Sequence, residues 1–131
     1  MSDTPPLPPA QPPTDSNARM WNMWCHMSAL AGLFIPFGNV VGPLLIWQIK
    51  KAEFPSVEIH GKAALNFQLT VLIAVVVGII LAIILSFFCI GWLLFPVVML
   101  IGIAGMVFAV IAGIKANDGQ EYTYPCSLKL V

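Results

Sequence analysis

The chain has 131 residues, of which 59% are hydrophobic and only 9% are charged. A soluble domain carries charge on about a quarter of its residues, so this composition excludes an ordinary soluble protein and indicates an integral membrane protein. Six Lys and Arg residues balance six Asp and Glu residues. A chain without net charge lacks the basic field that attracts nucleic acid, so the expected partner is the lipid bilayer and nucleic acid is excluded.

Residues 1–19 contain six of the 11 prolines and no apolar run. Such a segment buries too little apolar surface to offset the entropy cost of ordering. It is therefore predicted to be a disordered, proline-rich tail that acts as a tether, in the cytoplasm or the periplasm. It also lacks the basic start and the cleavage site of a signal peptide.

Two uncharged stretches follow, residues 20–49 and 63–114. A helix crosses the bilayer core in about 20 residues, so the second stretch has room for two spans, divided near Gly91. The first stretch has room for one. The sequence thus predicts an all-α membrane bundle over residues 20–131, with spans at about 22–49, 57–88 and 92–115. Ser56 is predicted to cap the second of these helices.

The first stretch contains two prolines, each of which removes a backbone donor and kinks a helix. The predicted kink comprises Pro36, Gly38, Asn39, Gly42 and Pro43. We favour one kinked span, because Trp24 and Trp47 would be about 35 Å apart along a helix, close to the thickness of a bilayer. The alternative is a re-entrant hairpin that returns the chain to the side from which it entered.

The distribution of basic residues predicts the orientation. With three spans, all five lysines share one side with the C-terminal tail, and that side is expected to be cytoplasmic. The N-terminus would then lie outside together with Arg19, the single arginine. The re-entrant alternative places Arg19 inside as well, and the positive-inside rule slightly favours that arrangement.

A line of residues at four-residue spacing begins polar and becomes small. It runs through Glu58, Lys62, Asn66, Thr70, Ala74, Gly78, Ala82 and Ser86. Small residues let membrane helices approach closely, and the third span offers a matching set. The predicted packing residues are Ala74, Gly78, Ala82, Gly105, Ala109 and Gly113. We expect these contacts within one monomer, with a seam between copies as the alternative.

Polar residues at membrane depth are expensive and indicate a functional site by default. The candidates here are His60, Lys62, Asn66, Gln68 and Thr70. Two roles are open for the amides: they bond the backbone freed by the two prolines, or they line a polar path.

Catalysis finds little support in the sequence. Cys25 and His26 are neighbours in the chain and so point about 100° apart on a helix, which is poor geometry for a thiolate and imidazole pair. His26 and His60 could be haem ligands only if the fold brought them together. We therefore expect no enzyme, no catalytic residue, no metal and no cofactor.

Three ordered motifs resemble a known family. They lie at His26–Leu30 with Pro36–Lys51, at His60–Gln68, and at Lys115–Pro125. Together they resemble a small bacterial membrane-protein family of unknown function that is distantly similar to the Tic-twenty subunit of the chloroplast inner-envelope import machinery. The resemblance implies a multi-pass protein of the bacterial inner, or cytoplasmic, membrane.

The functional expectation is a non-enzymatic subunit or accessory of a larger membrane assembly, with homo-oligomeric or hetero-oligomeric partners. The small-residue seams and the short loops motivate it. The alternative is a Tic-twenty-like channel or transport component, in which Asn66, Gln68 and Thr70 line a polar path beside the proline kink.

Overall fold

The computed structural model describes residues 15–131, and this range is helical without strands, which confirms the all-α prediction. The α-helices are α1 (Ser16–Met27), α2 (Gly38–Lys50), α3 (Ser56–Ser86) and α4 (Leu94–Asn117). Short 3-10 segments at Ser28–Leu33 and Gly91–Leu93 precede α2 and α4.

The long helices α3 and α4 lie where the second and third spans were predicted. Ser56–Ser86 and Gly91–Asn117 are each long and apolar enough to cross a membrane. The tight turn between them depends on Gly91, because a Cβ atom at that position would collide with the carbonyl oxygen of Ala82. The turn also includes Cys89 in a left-handed conformation, with φ of 59°.

Two predicted details at the helix starts are wrong. Pro55, not Ser56, is the N-cap of α3, because the Ser56 hydroxyl bonds across to Asn22 instead, 3.1 Å from its Oδ1 atom. Helix α1 begins at Ser16, within the predicted tail of residues 1–19, since the Asp15 side chain accepts a hydrogen bond from the Asn17 amide and caps the helix. Residues 1–14, with the predicted proline-rich tail, lie outside the described residues.

The predicted single kinked helix over 22–49 is also wrong, because the chain reverses between Leu33 and Gly38. Phe37 adopts a left-handed conformation, with φ of 61°, at the start of α2. The reversal brings the Lys50 ammonium to 4.5 Å from the centre of the Trp21 ring. Pro43 lies inside α2 and does not end it. Residues 16–50 thus form a helical hairpin, the arrangement held as the alternative.

Glycine explains why the hairpin closes. A Cβ atom at Gly38 would lie 2.6 Å from the carbonyl oxygen of Ala31, and one at Gly42 would collide with that of Ser28. The backbone of α2 therefore packs directly on the backbone of the preceding 3-10 segment. These two glycines, predicted as part of a kink, act as the contact surface of the hairpin.

The open end of the hairpin packs on the first turns of α3. The Cys25 sulfur lies 4.0 Å from the Val57 carbonyl oxygen, and the Trp47 side chain fills the space above Gly61, where a Cβ atom would be 2.6 Å away. Trp24 and Trp47 therefore lie near the same end of the bundle. Their spacing predicted opposite membrane interfaces, and this arrangement contradicts that prediction.

The small residues mediate contacts between helices of one monomer. Gly78 faces Val98, Gly105 faces Val71, and Gly113 faces Met27 of α1. Ala82 and Ala109 are buried, and Ala74 is half-buried. The third span thus uses its small residues against two different helices, and a seam between copies stays a prediction.

Replacing Gly42 with alanine should destabilise the protein by about 1–3 kcal/mol, because the added methyl group overpacks a backbone contact. Gly102→Ala is the matched control, since no atom lies within 4 Å of its would-be Cβ position. The measurement is the free energy of unfolding in detergent micelles. Equal stability of the two variants would contradict the hairpin contact.

Candidate functional site

Three distant parts of the chain meet in a buried line of polar groups. The Nδ1 atom of His26 lies 2.7 Å from the hydroxyl oxygen of Tyr124. The other ring nitrogen, Nε2, lies 3.1 Å from Nδ1 of His60. All three side chains are buried. The line joins α1, α3 and the C-terminal tail after α4, and we call it the His–His–Tyr line.

Burial keeps this line uncharged. Each of the three side chains is buried, and burial away from water disfavours the charged form of an ionisable group. A neutral imidazole has one N–H donor and one acceptor nitrogen. Two orders of protons therefore satisfy both bonds: Tyr124 donates to His26, which donates to His60, or every donor and acceptor is reversed. Both orders leave three neutral groups.

A second polar pair lies beside the line and fixes α1 to α3. The Asn22 amide donates to the Ser56 hydroxyl at 3.0 Å, and the Oδ1 atom of Asn22 is 3.1 Å from the same hydroxyl. Asn22, Cys25 and His26 occupy one face of α1, at the three- and four-residue spacing of helix neighbours. This spacing was the signal in the sequence that could have identified the docking face.

Aromatic stacking holds Tyr124 from the other side. Its ring stacks on Phe67 of α3, with centroids 4.0 Å apart and planes 12° apart. Phe108 of α4 meets Phe67 edge-on, and Tyr122 meets Tyr124 edge-on. The tail is therefore anchored to both long helices by side chains that no local pattern in the sequence connects.

The end of the tail is held by its backbone. The Oδ1 atom of Asn66 accepts hydrogen bonds from the amides of Leu130 and Val131, at 2.9 and 2.7 Å. Thr70 accepts from the amide of Leu128 at 2.9 Å and donates to the carbonyl oxygen of Asn66. Asn66 and Thr70 thus bind the C-terminal tail, a role that neither interpretation of the sequence had included.

Gln68 and Lys62 serve elsewhere. The Oε1 atom of Gln68 accepts a hydrogen bond from the side chain of Asn39 at 3.2 Å, so the amide ties α3 to the hairpin near its tip. The two residues line a mostly apolar cavity of 220 Å³. Lys62 forms an exposed ion pair with Glu58 at 2.8 Å, at the spacing expected from the sequence. The five polar candidates therefore do not form one site.

His60 also borders a cleft of 390 Å³ beneath the tail, with Tyr122, Glu121 and Lys129 on its walls. Within residues 15–131, no group of three or more His, Cys, Asp or Glu side chains is placed to hold a metal ion. The two histidines do come together, as the haem hypothesis required. The Nε2 atom of His26 and the Nδ1 atom of His60, however, are hydrogen-bonded to each other.

The chain belongs to the magnetosome magnetite crystal formation protein family (MamF/MmsF), whose family model matches residues 17–131. This finding agrees with the expected small bacterial membrane-protein family. It gives no support to a similarity with Tic-twenty. Neither a curated protein nor a solved structure matches the chain. The family and the two long apolar helices together support a membrane location.

Tyr124→Phe should destabilise the protein by about 1–3 kcal/mol, because it leaves a buried ring nitrogen of His26 without its partner. The variant keeps the ring that stacks on Phe67, so the decrease in the free energy of unfolding reports the lost hydrogen bond. Tyr122→Phe is the matched control on the same tail. The measurement is the unfolding free energy in detergent, and an equal loss in the two variants would contradict the His–His–Tyr line.

Proposed function

We propose that this protein acts in magnetite crystal formation as a non-enzymatic, multi-pass subunit or accessory of an assembly in the magnetosome membrane. The observation that carries the proposal is the family match over residues 17–131, which covers the whole helical domain and its tail. The proposed role is to place a fixed protein scaffold in the membrane that surrounds the growing mineral.

The use of the polar side chains supports a structural role. Several buried polar side chains are bonded to other parts of the same chain: His26 to His60 and Tyr124, and Gln68 to Asn39. Asn66 and Thr70 hold the tail. Lipid offers no hydrogen bonds, so these internal pairs satisfy groups that would otherwise cost several kcal/mol each. They fix the hairpin and the tail against α3.

We further propose that the hairpin enters and leaves the membrane on one side, so that α1 and the C-terminal tail share the cytoplasmic face. The positions of the basic residues support this topology. All six lie at the open end of the hairpin or near it: Arg19, Lys50, Lys51, Lys62, Lys115 and Lys129. The positive-inside rule is then obeyed without exception.

Cysteine labelling tests this topology. Ser16→Cys and Ser127→Cys, each in a Cys89→Ser, Cys126→Ser background, should react with a membrane-impermeant maleimide from the same face, while the buried Cys25 stays unlabelled. In a separate Cys126→Ser variant, the native Cys89 in the turn between α3 and α4 should react from the opposite face. Labelling of positions 16 and 127 from opposite faces would restore the three-span topology and contradict the proposal.

The function itself is tested in a magnetite-forming bacterium that carries this gene. Deletion should change the size or shape of the crystals seen by electron microscopy, and the wild-type gene should restore them. We expect Tyr124→Phe to restore them less well than Tyr122→Phe, because only the first variant weakens the attachment of the tail. Unchanged crystals after deletion would contradict the role in crystal formation.

Crosslinking of the membranes before solubilisation, followed by native mass measurement, tests the assembly. We expect the protein in a homo-oligomer or with other membrane subunits. A monomer with no crosslinked partner would contradict the subunit role.

A further inference from the structure

The two halves of the membrane domain differ in width. Beside the first part of the uncharged run of α3 lie the 3-10 segment Ser28–Leu33, α2, α4 and the C-terminal tail, which lies along α3 at Asn66 and Thr70. Helix α1 packs before that run, because its partners are Ser56, Val57 and His60. The other half holds the far parts of α3 and α4 and the turn that joins them. A helix with its side chains is about 10–12 Å across. Four helical segments against two give a protein roughly twice as wide in one half of the bilayer.

The tip of the hairpin lies near the middle of the long helices. Asn39, just after the tip, is bonded to Gln68, which is about 9 Å along α3 from Lys62. Gly32, just before the tip, shares a cavity with Val75, about 20 Å from Lys62. The uncharged part of α3 continues to Ser86, for a total of about 36 Å. The hairpin therefore ends between about a quarter and about half of the way along the span.

The tip is built to face lipid. Phe34 is 87% exposed and Phe37 is 63% exposed, and the other side chains between them are the apolar Ile35 and Pro36. Three amides of the tip are bonded internally: those of Phe34 and Ile35 donate to the Ala31 carbonyl oxygen, and that of Gly38 donates to the Ile35 carbonyl oxygen. Such a segment can lie among acyl chains, because its exposed side chains are apolar and these amides have partners.

We propose that the protein is a membrane wedge, which prefers a lipid bilayer curved so that the leaflet containing the hairpin is convex. The inference rests on the same-side topology proposed above. Inserting extra helical area into one leaflet expands that leaflet relative to the other, and bending relieves the mismatch. With the basic end in the cytoplasm, the expanded leaflet is the cytoplasmic one. The favoured surface is a small vesicle or invagination whose convex face is cytoplasmic.

Membrane tubes pulled from giant vesicles test this preference. The full-length protein is reconstituted into phosphatidylcholine and phosphatidylglycerol vesicles, where it inserts in both directions, and outward tubes have a convex outer leaflet. The exposed cysteines distinguish the two directions. In the Cys89→Ser variant, an impermeant dye added outside labels Cys126 and marks molecules with the hairpin outside. In the Cys126→Ser variant, the dye labels Cys89 and marks the opposite orientation.

Molecules with the hairpin outside should be enriched several-fold on the tube relative to the vesicle, and those in the opposite orientation should be depleted. The enrichment should grow as the tube is narrowed. Equal densities for both orientations, or enrichment of the opposite one, would overturn the wedge. Equal densities would also be seen if a second copy of the protein packed beside the narrower half and made the assembly equally wide in both leaflets. That result would contradict the wedge as well.

A depth measurement separates failure of the wedge from failure of the topology. A spin label at Phe34→Cys, in a Cys89→Ser, Cys126→Ser background, should be relaxed by dissolved oxygen and protected from a water-soluble relaxant. A label at Ile49→Cys, which is exposed at the other end of α2, should give the reverse. A tip at the membrane surface would contradict both proposals. A deep tip, together with labelling of positions 16 and 127 from the same face but without sorting onto tubes, would contradict the wedge alone.

Discussion

The structure depends on His26 being bonded at both ring nitrogens. A buried imidazole costs free energy unless each polar atom has a partner, and the two partners of His26 come from α3 and from the tail. The side chain thus joins three segments that are remote in sequence, with Tyr124 98 positions away. Once His26 is fixed, α1 lies against the first turns of α3, and the tail closes over them. Hairpin placement and tail placement are consequences of the same bonds.

The hairpin adds a second constraint, which is backbone contact. Gly38 and Gly42 allow α2 to touch the chain it follows, so the reversal buries backbone rather than side chains. This close approach offsets the cost of the left-handed Phe37, which is typically 1–3 kcal/mol for a residue other than glycine. Together with the Asn39 and Gln68 pair, it holds the tip at a fixed depth.

The sequence predicted α3 and α4 well because their signal is local: an uncharged run long enough for two spans, divided by glycine and proline. It also identified Asn66, Gln68 and Thr70 as unusual, because a polar residue within an apolar run is evident from the sequence even when its partner is unknown. It could not assign the partners of Asn66 and Thr70, because the tail residues that they bind carry no periodic pattern. It could not pair Gln68 with Asn39, because that contact depends on the chain reversal before α2. The single kinked span was favoured because the spacing of Trp24 and Trp47 along one helix matches the thickness of a bilayer. That distance holds only if the chain does not reverse, and the left-handed Phe37 and the glycine contacts that close the reversal give no periodic pattern in the sequence.

The position of Arg19 links the electrostatics to the shape of the protein. In a single-span arrangement this residue would lie alone on the far side, opposed by the positive-inside rule. In the hairpin it joins the lysines, so the widest half of the domain is also the basic half. Basic residues are attracted to anionic lipid headgroups at the cytoplasmic surface, which favours insertion with the wide half in that leaflet. The charges would therefore determine the orientation, and the number of helical segments would determine the width. The two features coincide because the same hairpin adds the extra segments and brings Arg19 to the side of the lysines.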